Sequence, residues 1–345
     1  MGNHQRSRLA FIDALRGLAF VFMVLNHTAI YLLDGSFSPY RQELFYVTVT
    51  LAAPLFLFLS GFSIAISGRD QSGMPKTFED YLTKGLFVIA IGYALTAVIA
   101  PDKPIFTGGI LQTIGLGMIF LAPFVRYMKH RACRYALLAL AVTLYVVFVY
   151  AHPTVIKWLQ LSPLLMQMLF DGFPPWPWIG VIMFGLVLGS EWQMGPLRNR
   201  KLAAKIGAVA GVCLISYINL GYRTGTLTTF NFTRDFIINY HWLPRPVTIL
   251  WILGALLVNF IAVYFLVEIM KWRLTWLRWF GRSALLLYVA HLLLISVIGK
   301  RIMEISLDSW WQFAAVNLLL LASLLLLVRA VAWWRGQTRR KIQIG

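Results

Sequence analysis

Residues 11–33 read FIDALRGLAFVFMVLNHTAIYLL. Such a run is long enough to cross a bilayer core, which takes about 20 mostly apolar residues. Four residues interrupt its apolar character: Asp13, Arg16, Asn26 and His27. Arg16 and His27 are eleven residues apart, which on an α-helix returns them to within about 20° of one face, about 16.5 Å apart along the axis. Asp13 lies one turn before Arg16 on the same side. With Arg16 at the inner rim, residues 17–33 form the apolar span and His27 falls near mid-membrane. Ionisable groups are costly at that depth and usually serve a function.

The rest of the chain supports a membrane setting. Apolar residues make up 59% of the 345 and charged residues 13%, and mean hydropathy is +0.72. Soluble domains sit near 45–50% apolar and about 25% charged, so most of this chain must face lipid. The 13 Trp and 14 Tyr suit the membrane–water interface, where their amphipathic rings accumulate. Cys133 and Cys213 are the only cysteines, and two give neither a disulfide framework nor a metal motif.

Ten apolar segments emerge, near 15–33, 44–67, 84–100, 108–127, 135–151, 176–192, 203–220, 247–270, 281–299 and 311–334. An all-α polytopic membrane protein of about ten helices follows, as a single domain over 1–345. The N-terminus does not read as a cleavable signal peptide, because Asp13 and Arg16 interrupt the apolar run and no small-residue cleavage site follows. The net charge of +18 tests the topology. With the N-terminus inside, 22 Lys and Arg fall in inner segments and 8 in outer ones. That asymmetry fits the positive-inside rule and puts both termini in the cytoplasm. The charge excess therefore reports topology, and nucleic acid is not an expected partner. The basic tail at 335–341 is expected to lie against anionic lipid head groups. Of the 31 cations, Arg16 alone belongs to no loop.

The first span offers acyl-transfer chemistry. Arg presents a fixed fork of donors to phosphate. An imidazole can take the proton of an attacking hydroxyl or amine, and Asn26 or backbone amides can stabilise the oxyanion. The alternative is structural: Asp13–Arg16 as an interfacial ion pair and His27 as a hydrogen-bonded packing residue.

DALRGLAFVFMVLNH (13–27) resembles the first-helix signature of the transmembrane acyltransferase superfamily, an Arg followed after ten residues by a His. Three further stretches, in order, resemble the same superfamily. They are APLFLFLSGFSIAIS (53–67), FPPWPWIGVIMFGLVLG (173–189) and GRSALLLYVAHLLLI (281–295). The second and third of the four look closest to the heparan-α-glucosaminide N-acetyltransferase-like branch. The histidine at 27 is more like the related acyltransferase-3 branch, which O-acylates glycans. The resemblance implies transfer of an acyl group, acetyl above all, from cytoplasmic acyl-CoA to the amine or hydroxyl of a glycan or amino sugar reached from the outer side. Acetyl-CoA would be the donor substrate, and no metal is called for. It further implies a CoA-binding role for Arg16 and Asp13, catalysis by His27, and a place in a bacterial inner (cytoplasmic) membrane, with a homo-oligomer left open.

Other candidates have two readings each. His291 falls about 15 Å along a helix starting near Gly281, the depth assigned to His27. It reads as a second catalytic histidine or as a hydrogen-bonding bridge between helices. Tyr288 shares its face and is a candidate substrate contact. Arg282 reads as a second CoA-phosphate ligand or as a positive-inside anchor. Trp178 reads as an acceptor-binding group or, with Trp176, as part of an interfacial belt, and Asp171 as a second candidate base or an acceptor-binding group. Ser60, Ser63 and Ser283 are available for an acyl-enzyme, but no nucleophile elbow marks them. Metal-ligand motifs are absent from the sequence. The rival function is a transporter or flippase of a glycan or lipid-linked solute, which would call for internal repeats or broken helices; no repeat is evident.

Overall fold

Runs of Leu, Val, Ile and Phe bounded by Pro, Gly and charged residues produce long helices. A computed structural model of the chain describes residues 9–34, 52–68, 74, 76–159, 162–193, 196–225, 227, 237–238, 241–242 and 244–344. The helices are α1 (Ala10–Leu32), α2 (Ala53–Ile66), α3 (Phe78–Ile99), α4 (Ile110–Val125), α5 (Arg131–Leu159), α6 (Pro163–Leu169), α7 (Pro175–Trp192) and α8 (Pro196–Thr224). After a two-residue antiparallel ladder, Ile237–Ile238 with His241–Trp242, come α9 (Pro246–Tyr264), α10 (Thr275–Arg282), α11 (Ala284–Leu292) and α12 (Trp310–Ile344). Helix α9 runs on as π-helix through Phe265–Ile269, and α11 through Leu293–Ile302.

Seven helices among the described residues are long and apolar enough to cross a membrane, so the protein is an integral multi-pass membrane protein. Each apolar segment read from the sequence coincides with a described helix, but three fall outside those seven. Ala53–Ile66 and Ile110–Val125 are shorter, and Pro175–Trp192 has 18 residues. Residues 44–51 of the second segment lie outside the described residues, as do Arg6, Arg8, Arg41, Arg69 and Arg234 of the charge map.

The chain gathers into two compact units, one from Met1–Ala52 with Val258–Gly345, the other from Ala53–Leu257. In the second unit α2 packs on α7 with almost no space between backbones. A Cβ on Gly61 would overlap the Ile182 carbonyl, and one on Gly185 the Phe58 carbonyl. Small residues let membrane helices approach so closely that dispersion, the force available in lipid, operates over a wide contact. Trp178 lies in this core, 1% exposed. Its ring stacks on Phe173 at 4.9 Å and its indole N–H donates to the Trp242 carbonyl at 2.7 Å.

In the first unit α1 packs against α10, α11, α12 and the π-helical segments. The best 18-residue window of α1 is 56% buried, against 17% for that of α12: α1 is enclosed, while α12 turns most of its surface outward. The far end of α1 is tied down by the Leu307 amide donating to the Leu32 carbonyl at 2.7 Å and the Asp34 amide donating to the Leu307 carbonyl at 2.9 Å.

The ninth segment, read near 281–299, corresponds to the span Ala284–Ile302, preceded by the last two residues of α10. Gly281 and Arg282 end α10, Ser283 leaves helical geometry at φ −113° and ψ 23°, and α11 begins at Ala284. His291 therefore sits about 10.5 Å along α11 rather than 15 Å along a helix starting at Gly281, and Ser283 shares no helical face with it.

Candidate functional site

At the start of α1, the backbone crosses α10 at two glycines. A Cβ on Gly17 would overlap the Leu277 carbonyl, and one on Gly281 the Asp13 carbonyl. This approach brings the residues beside those glycines together. Arg282 Nε donates to Asp13 Oδ2 at 3.1 Å, Arg16 donates to Asp13 Oδ1 at 3.4 Å, and the same Arg16 nitrogen donates to the Gly281 carbonyl at 3.2 Å. Asp13 is buried, and a buried carboxylate is stable only when paired. One carboxylate between two guanidiniums leaves a net positive charge. The Arg16 side chain is 23% exposed and that of Arg282 38%. The sequence places Asp13 beside Arg16; only the crossing adds Arg282.

Farther along α1, His27 Nδ1 stands 2.9 Å from His291 Nε2. His291 is completely buried, with Phe20 edge-on at 5.4 Å and Tyr288 edge-on at 5.5 Å. Its Nδ1 lies 2.9 Å from the Leu287 carbonyl. A carbonyl only accepts, so His291 Nδ1 carries the hydrogen of that bond. In the neutral ring, Nε2 then holds a lone pair and accepts from His27 Nδ1–H. By the same bookkeeping His27 Nε2 is left with a lone pair. The two rings thus form a directional chain from the Leu287 carbonyl to His27 Nε2. His27 is only partly buried and has Tyr31 beside it at 6.2 Å. A π-helix follows at once from Leu293, a rare geometry concentrated at functional sites.

The candidate residues divide between the two units. Asp13, Arg16, Asn26, His27, Arg282, Tyr288 and His291 all lie in the first, with Asn26 buried beside His27 on α1. Asp171 and Trp178 lie in the second. Asp171 is half-buried in the turn before α7, its amide donating to the Met166 carbonyl at 3.2 Å. Trp178 has its polar hydrogen committed to Trp242. Ser60 and Ser63 donate their hydroxyl hydrogens to the Leu57 and Leu59 carbonyls of their own helix. No cluster of metal-ligating side chains occurs among the described residues. Sequence reasoning overlooked Gly17 and Gly281. Their signal was a glycine directly beside an arginine at the edge of an apolar run.

No curated protein matches the chain. A family model does, that of heparan-alpha-glucosaminide N-acetyltransferase, catalytic, over residues 8–222. The match takes in Asp13, Arg16 and His27 and ends before Arg282 and His291. It covers well over half of the chain, and the protein therefore belongs to the heparan-alpha-glucosaminide N-acetyltransferase catalytic family.

Proposed function

We propose that the protein is an acyl-CoA-dependent membrane acetyltransferase that takes the acetyl group of cytoplasmic acetyl-CoA and delivers it to a sugar amine or hydroxyl reached from the outer side. Ten spans with both termini cytoplasmic, in a bacterial inner membrane, provide the setting, and the inner excess of Lys and Arg supports it. The family name points to an amino-sugar acceptor.

The observation that carries this reading is the His27–His291 pair at 2.9 Å, whose His27 shares α1 with Arg16 of the guanidinium pair, about 16.5 Å away along the axis. Arg16 and Arg282 hold the CoA phosphates while Asp13 keeps the two guanidiniums together. The pantetheine arm follows α1 for about 16.5 Å and brings the thioester carbonyl to His27. The acceptor nitrogen or oxygen attacks the carbonyl carbon as His27 Nε2 takes its proton. The tetrahedral intermediate then breaks its C–S bond, and the sulfur leaves with the proton from His27 as free CoA. His291 is the positioning residue: its lone pair fixes the His27 tautomer and stabilises the imidazolium formed in the first step. Asn26 and Tyr288 line the reacting end.

Purified protein in detergent should release CoA from acetyl-CoA when a glucosamine-terminated oligosaccharide is supplied. Movement of an intact solute across a reconstituted membrane, with no thioester consumed, would overturn the reading in favour of a transporter.

A further inference from the structure

The second unit contains a cationic cavity that the acyl-transfer chemistry does not use. It has a volume of about 380 Å3 and is lined by Arg131, Arg134 and Lys205, with Glu191 the acidic member of the lining. Leu138, Phe184 and Val187 form its apolar wall. Arg134 is 3% exposed, pairs with Glu191 at 2.7 Å and donates to the Met128 carbonyl. Three cations against one carboxylate leave two positive charges, and Arg131 and Lys205 are exposed. The first turn of α5, which carries Arg131 and Arg134, has no acidic residue. A helix N-terminus is itself the positive end of the macrodipole, so cations gathered there raise the local potential further. The cavity combines that potential with an apolar wall on one side, a combination a wholly soluble anion does not need.

We propose that this cavity holds the phosphate head group of an anionic phospholipid, phosphatidylglycerol being the simplest example. Arg131 and Lys205 contact the phosphate, and the glycerol and first acyl carbons lie on Leu138, Phe184 and Val187. The Arg134–Glu191 pair forms the floor and keeps the α5 and α7 ends together. Basic pockets between membrane helices are a recurrent form of head-group recognition. The proposal does not rest on the catalytic reading, since none of these residues takes part in it.

Native mass spectrometry of the full chain in detergent tests it, with phosphatidylglycerol and phosphatidylcholine added in turn. Phosphatidylglycerol should give a one-to-one adduct that survives mild activation, and phosphatidylcholine should not. The Arg131→Ala/Lys205→Ala double variant should weaken that adduct about tenfold or more, as expected for loss of charge-assisted contacts. Lys129→Ala/Lys201→Ala, which removes two exposed cations outside the cavity lining, should leave it unchanged. Equal losses in the two double variants would reduce the effect to diffuse surface charge and overturn the proposal. So would equal retention of both lipids, or displacement of phosphatidylglycerol by CoA, which would make the cavity a soluble-phosphate site.

Discussion

His27 and His291 are 264 residues apart in the chain and 2.9 Å apart between Nδ1 and Nε2. Because the Leu287 carbonyl occupies the far nitrogen of His291, the hydrogen bond has a direction, and His27 Nε2 is the end left with a lone pair. This relationship gives an intramembrane histidine a defined tautomer, the one that the proposed general-base role requires.

His27→Ala should lower kcat by about 10²–10⁴-fold, the usual contribution of a positioned general base. Acetyl-CoA binding, followed by calorimetry on the detergent-solubilised protein, should be preserved. Normal turnover in this variant would remove His27 from the chemistry.

The positioning role of His291 makes a sharper expectation. His291→Gln supplies a side-chain carbonyl oxygen that can accept from His27 Nδ1–H, whereas His291→Leu supplies none. Activity should be partly retained in the Gln variant and fall by about 10²-fold or more in the Leu variant. A purely packing role would favour Leu, so equal activity of the two, or the reverse order, would count against the tautomer argument.

Arg16→Ala should raise KM for acetyl-CoA by about ten- to a hundred-fold, the range for one lost charge-assisted hydrogen bond, with kcat at saturating donor little changed. Acetyl-pantetheine lacks the nucleotide phosphates, so the wild-type protein and the variant should use it equally well. A loss with both donors would mark Arg16 as structural.

Gly17→Ala places a methyl group on the Leu277 carbonyl. Overpacking of this kind costs about 1–3 kcal/mol, and the variant should unfold at lower temperature in a thermal-shift assay. Gly211 in α8 has nothing within 4 Å of an added Cβ. There Gly→Ala should be neutral or stabilising by up to about 1 kcal/mol, since alanine loses less backbone entropy in a helix.

Much of the site was legible from the sequence because it lies on one helix. Helical rise and rotation are local properties, so Asp13, Arg16 and His27 could be put on one face from their numbers alone. The same reasoning found the ninth span but not its start at Ala284. Hydropathy registers how greasy a segment is but not where its backbone turns, and the break at Ser283 and the π-helix after Leu292 leave no mark in an apolar count. The cations of the α5 cavity were read only as topology signals, for the same reason: a charge total has no geometry.

By itself the sequence determined that the chain is a multi-pass helical membrane protein, which face of α1 carries its polar groups, and the family to which it belongs. Those follow from composition, helical periodicity and motif order along the chain. Tertiary structure alone decided that Arg282 shares Asp13 with Arg16 and that His291 faces His27. The first meeting depends on α1 crossing α10 where Gly17 and Gly281 remove the side chains that would hold the backbones apart, and the second on α1 packing against α11. Such a contact is a property of two surfaces fitting together, and no spacing within either segment encodes it.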